Sequence, residues 1–249
     1  MAYELVGGEI LLREKLNRWG YKANTLQESI ALYQANHAAN LNELTQIYHG
    51  RAAVIDGDLG LATAQLVNTR FCDVPDIMPG AQAAVSEANW PDSCRQDISV
   101  AYNFTSMPGL SQQQTRDVWL AALKMWNDRI DLLLHLVQTY GLARINAKLE
   151  AMLGSILAWS YLAQNNCSAK LQQAYNRSTV WTIKLAPPTI GHEVGHALGL
   201  DHTPGDPNSL MYPSMRGQQL PNETDLRQMV TKGYKRRTSP PPDDDWSMF

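Results

Sequence analysis

From Glu9 to about Asn68 apolar residues recur at helical spacing: Leu11, Leu12, Leu16 and Trp19 share one face, Gly20 ends that run, and Leu26, Ile30 and Tyr33 begin another. Asp56-Gly57-Asp58-Leu59-Gly60 reads as a turn before a short helix through Ala62 and Leu66. The pattern predicts a small helical domain over residues 1–76. From Thr69 to Gln96 periodicity lapses, with Pro75, Pro79, Gly80 and Pro91 interspersed, which places a linker at 77–96. At Asp97 the pattern changes to alternation, with Ile98, Val100 and Tyr102 on one side of a strand. Ser111 then caps a helix through Trp119, Leu123 and Trp126. Ile145–Leu149 and Ser155–Leu162 read as further strands, although Leu153, Ile156 and Leu157 equally suit a helix; Thr179–Leu185 alternates again, and a last helix is expected near Glu223–Lys232. This second domain spans 97–234. Residues 235–249, rich in Pro and Asp, are too polar to fold alone and read as a solvated tail.

Composition narrows the function without naming it. A net charge of -3 over 249 residues offers no broad basic surface, and the one dense cationic run is Lys235-Arg236-Arg237, so nucleic acid is not an expected partner. No apolar stretch approaches the roughly 18–20 residues of a membrane helix, and Met1-Ala2-Tyr3-Glu4 has neither the basic nor the apolar region of a signal peptide. Neither a membrane partner nor a leader is expected. Cys72, Cys94 and Cys167 are too few for a disulfide framework; Cys94 and Cys167 read as plain buried thiols, with a bridge as the alternative outside a cell.

The chemistry lies in His192-Glu193-Val194-Gly195-His196-Ala197-Leu198-Gly199-Leu200-Asp201-His202, which fits H-E-x-x-H-x-x-G-x-x-H at every specified position. Positions i and i+4 of a helix share a face, so His192 and His196 can aim at one ion. Gly199 can turn the chain through a left-handed conformation and bring His202 to the same ion. Three nitrogen ligands leave a fourth position open for water, as catalytic zinc sites do. Glu193 is the expected general base for that water and then the acid to the leaving amine. Ser209-Leu210-Met211-Tyr212-Pro213 follows at the distance a methionine turn beneath the metal requires, with Met211 at its centre.

With these residues in place the chain resembles the matrixins, the matrix-metalloproteinase branch of the metzincins. Asp97–Trp126 is similar to the opening strand and helix of their catalytic domain, Gly154–Tyr161 to the segment leading into the substrate-binding edge strand, and Trp181-Thr182 to a pair before the active-site helix. Leu5–Asp76 resembles their three-helix, peptidoglycan-binding-like pro-domain, notably in Gly20-Tyr21 and Asp56-Gly57-Asp58-Leu59-Gly60. The resemblance implies an α+β protein: a three-helix domain, then a twisted mixed sheet with the active-site helix. It also implies latency, because the family's pro-domain ends in Pro-Arg-Cys-Gly-x-Pro-Asp and its cysteine blocks the metal. Here Cys72, Pro75 and Asp76 match, whereas Phe71 replaces the arginine and Asp73 the glycine. Cys72 is the expected blocking ligand, with Asp73 the alternative.

Matrixins commonly hold a second zinc and calcium. Trp159 stands where the family has a histidine, His135 is expected on a helix surface, and Asn176–Thr179 lacks the family's carboxylates. One catalytic zinc is therefore expected, and calcium is not. The expected function is a zinc metalloendopeptidase acting on a protein or peptide through a Glu-activated, zinc-bound water. The alternative is a structural or binding protein, held to peptidoglycan or a larger assembly such as a virion, that carries a metzincin domain. Matrixin relatives are usually exported, which implies an extracellular or virion-associated location even though no leader is seen.

Overall fold

The computed structural model describes residues 12–14, 16–17, 21–36, 55–57, 63, 71–72, 89–152, 156–215 and 217–239, with backbone alone at 71–72. In chain order the named elements are α1 (Leu26–Asn36), β1 (Phe71–Cys72), β2 (Ile98–Tyr102), α2 (Gln112–Asn127), β3 (Leu134–Leu136), β4 (Ile145–Glu150), β5 (Ile156–Ser160), β6 (Leu171–Asn176), α3 (Ala186–Ala197) and α4 (Glu223–Thr231). The strands form one mixed sheet in the order β1-β5-β6-β4-β2-β3. All neighbours are parallel except β5 and β6, where Ala158 faces Tyr175 and Ser160 faces Gln173. The architecture is α+β, with one large core between the sheet and helices α2 and α3.

Local chemistry fixes both ends of α2. Ser111 accepts from the Gln114 amide while the Gln114 side chain accepts from the Ser111 amide, closing a capping box. Val118, Trp119, Ala122, Leu123 and Trp126 then recur three and four residues apart and are buried on one face. At the far end the Asn127 side chain bonds both the amide and the carbonyl of Leu134, so the helix terminus sets the start of β3.

Several stretches depart from the sequence reading. Residues 156–160 are strand, which resolves the ambiguity at Ile156 and Leu157, whereas 179–185 is turn because Trp181 is pulled into the core between Pro108 and Asn176. His135 lies on β3, not on a helix, with its ring 3.6 Å from the Asp97 carboxylate. Cys94 and Cys167 are not free thiols: they are disulfide-bonded, with Cα atoms 5.8 Å apart. Residues 235–237 are not solvated tail. Ile130 and Arg236 form a β-bridge, and the Arg237 guanidinium donates to the carbonyls of Asn127, Ile130 and Leu132. Residues 89–96, which lack any sequence period, pack against the large hydrophobic core, with Trp90 and Cys94 buried in it.

At the N-terminal end, Leu12, Leu16, Tyr21, Ile30 and Tyr33 form a small cluster that also takes in Ile156 of β5, with Met152 packed beside it. Gln34 fixes the Asp56-Gly57 turn by accepting from both amides. The helix expected through Ala62 and Leu66, the linker at 77–88 and the tail beyond 239 lie outside the described residues.

Candidate metal centre

The helix that carries the motif is positioned from all sides. Pro187 and Pro188 sit in the first turn of α3, where backbone donors have no intrahelical partner to lose. Every residue from Pro188 to Ala197 is buried. Trp126 of α2 donates to the Gly191 carbonyl at 2.8 Å, and Gln173 of β6 donates to the Glu193 carbonyl at 2.9 Å. Gln173 also donates to Ser160 of β5, so one buried amide ties the edge region of the sheet to the backbone of the expected general base. The sequence pattern does not reveal Gln173, because a polar side chain inside a strand looks like an interruption.

Beyond Ala197 the chain leaves the helix through a Schellman turn. The Gly199 amide bonds the His196 carbonyl at 2.8 Å and the Leu200 amide bonds the Gly195 carbonyl at 2.9 Å, while Gly199 sits at φ 99. A side chain at Gly199 would be strained in that conformation. The turn brings His202 against the two helical histidines. The three Nε2 atoms lie 3.1, 3.2 and 3.3 Å apart, and all three residues are buried.

The outer ring nitrogens determine what this cluster can do. His192 Nδ1 faces the Leu210 carbonyl at 2.7 Å and His196 Nδ1 faces the Leu200 carbonyl at 2.8 Å. A carbonyl only accepts, so each Nδ1 carries the proton and each Nε2 turns a lone pair inward. Lone pairs converging at such distances repel unless a cation sits among them. Nitrogen ligands roughly 2.0–2.1 Å from tetrahedral zinc lie roughly 3.3–3.4 Å from one another, close to the observed spacing. The donor set fits zinc.

The methionine turn completes the support. Met211 is fully buried, its carbonyl accepts from the Thr203 amide just after the third ligand, and the neighbouring Leu210 carbonyl is the one that holds His192. Asp225 of α4 fixes the turn: its carboxylate accepts from the amides of Leu210 and Met211 at 2.8 and 3.2 Å and from the Ser209 hydroxyl. Asp225 also accepts from the Asn222 amide, closing the capping box of α4. Next to it, Asp206 receives Thr224 and Asn222, and these bonds, the Thr224 hydroxyl first, hold its carboxyl below the usual aspartate range.

Gly195 explains why the residue before His196 is so small. A Cβ there would lie 2.4 Å from the Met211 sulfur and 3.1 Å from the Trp126 ring. Gly195→Ala is expected to cost about 1–3 kcal/mol of stability by overpacking. Denaturant unfolding checks this, and an unchanged midpoint would show that Met211 moves aside freely.

Of the residues singled out in the sequence, His192, His196 and His202 are brought together, Gly199 turns the chain toward the third of them, Met211 packs against Gly195, and Glu193 is fully buried on the same helix. For Cys72 the structure describes the backbone, in β1 beside β5. Asp73 lies outside the described residues.

A motif helix under a mixed sheet, a glycine turn to the third histidine and a buried methionine turn are the arrangement expected of a metzincin-type zinc site. Comparison with known proteins agrees: residues 153–235 match the family model described as Matrixin, and the chain is matrixin-like. It is 27% identical over 207 residues to the hatching enzyme of Paracentrotus lividus, an alignment covering 74% of this chain and 32% of that protein. The chain thus spans about a third of the length of that curated relative.

Proposed function

We propose that this protein is a zinc endopeptidase held latent by its own N-terminal segment. The observation that carries the reading is the set of three Nε2 atoms 3.1–3.3 Å apart with the buried Glu193 on the same helix, beside the edge region of the sheet. Bound there by His192, His196 and His202, zinc would supply Lewis acidity toward a peptide carbonyl and lower the pKa of water. Glu193 would accept the proton that water gives up and return it to the departing amine. Burial of the site keeps competing solvent away from that transfer. An extended peptide would gain backbone hydrogen bonds by adding as a strand along β5.

Latency is supported by what already lies along β5. Phe71 and Cys72 pair with it in parallel, Phe71 facing Ile156 and Cys72 facing Ala158. A substrate strand and β1 cannot use the same edge together. Cys72 in this segment would add a thiolate to the three histidines. The disulfide supports function in an oxidising compartment, since such bonds are rare in a reducing cytosol.

The test is metal content together with cleavage of an unfolded protein by the full-length chain before and after nicking. Residues 73–88 contain no Lys or Arg but hold Ala81, Ala83, Ala84 and Val85, so elastase is the appropriate tool. One zinc per chain, slow cleavage before the nick and fast cleavage after it support the proposal. Thiol alkylation of the intact chain should also raise activity. Zinc without cleavage in either form would shift the reading to a binding role.

A further inference from the structure

We propose that Asn89–Arg95 is a positioning strap for the metal centre, acting through Trp90 on the end of the motif helix. This rests on the zinc-site reading above and adds a part that lies a hundred residues upstream of the motif.

The last carbonyls of α3 need partners, because no further helical amide follows them. The Schellman turn supplies amides to the carbonyls of Gly195 and His196. Ala197 and Leu198 come next. The Ala197 carbonyl accepts the Trp90 indole Nε1–H at 2.8 Å. The Leu198 carbonyl accepts the Tyr234 hydroxyl at 2.8 Å, and that same hydroxyl accepts from the Trp90 amide at 3.0 Å. Trp90 and Tyr234 are both almost fully buried, so water does not substitute for either donor. Burial also raises the Tyr234 phenol far above its ordinary value, which keeps the hydroxyl protonated as a donor.

The strap is itself anchored at several points. Arg95 donates to the carbonyls of Trp90 and Gly233 at 2.7 Å each and lies over the Tyr234 ring, 4.2 Å from its centroid. Asn89 bonds the Lys232 carbonyl, and its own carbonyl accepts the Asn165 amide. Cys94 is joined to Cys167. Lys232 in turn pairs with Asp201, the residue before His202. Strap, Tyr234 and the end of α4 therefore hold both sides of the Gly199 turn that sets His202 relative to His196. Groups bonded directly to a metal ligand typically matter 10–100-fold in affinity or activity, and the strap acts one step further out, on the two residues that follow His196.

A consequence concerns activation. A cut that frees the zinc domain without loosening its metal has to fall upstream of Asn89, and a chain starting at Asp97 would lack the strap entirely.

The test uses full-length Trp90→Phe and, because that variant alters a core side chain, full-length Tyr234→Phe, which removes only a hydroxyl. Zinc transfer to a chromogenic chelator should be roughly 10-fold faster in both than in the parent, the lower end of that range. After nicking, kcat should fall with KM near the parental value. Parental transfer rates in both variants, with only a lower melting temperature, would overturn the proposal and leave Trp90 a core residue. Zinc transfer is read without cleavage, so a protein that holds zinc and cuts nothing overturns the peptidase reading alone.

Discussion

Glu193→Ala is expected to keep its zinc and lose roughly 10²–10⁴-fold in kcat, the range for removing a positioned general base. The two expectations separate because His192, His196 and His202 would hold the metal, the outer nitrogens of His192 and His196 being fixed by the carbonyls of Leu210 and Leu200, while Glu193 supplies none of those contacts. Its backbone is pinned by Gln173 and every helical neighbour is buried, so alanine should leave the helix in place. Metal analysis alongside single-turnover cleavage by the nicked enzyme is the check. Loss of zinc would assign Glu193 to holding the site, and undiminished cleavage would remove it from the chemistry.

The second large effect concerns stability. Cys94 and Cys167 are 73 residues apart, and closing a loop of that length restricts the unfolded chain by about 4 kcal/mol on the chain-entropy estimate. Replacing both with alanine should lower the melting temperature by roughly 10 °C, at about 2–4 °C per kcal/mol for a domain this size. Reduction of the parent should reproduce the variant's midpoint. Equal midpoints with and without the bridge would mean that the hydrogen bonds of Asn89, Trp90 and Arg95 hold the strap without it. Because the bridge anchors that strap, its removal also tests whether the metal centre responds to a change more than 90 residues upstream.

The centre was largely legible in the sequence, for a physical reason. Metal ligands must satisfy helix and turn geometry locally, so His192, His196, Gly199 and His202 are fixed by spacing along one short stretch. Helices α2 and α4 were legible because caps and apolar spacing are also local. What the sequence hid depends on distant partners. Strand β6 carries the buried polar residues Gln173 and Asn176, which break its apolar run and are satisfied by Glu193, Ser160 and Ile156. The strap has no period because its side chains answer to distant partners, Trp90 to Ala197 and Asn89 and Arg95 to residues 232 and 233. The places of His135 and residues 235–237 are hidden for the same reason, since a β3 only three residues long and a bridge between Ile130 and Arg236 leave no repeating pattern to detect.

The contacts of Arg237 have a practical bearing on how the protein is handled. Its guanidinium serves three carbonyls at the turn between α2 and β3, and Arg236 grips Glu223 with both nitrogens, at 3.2 and 2.5 Å. An affinity tag or fusion partner joined directly after Tyr234 would strip these groups from the edge of the sheet, whereas one joined after Ser239 leaves them in place.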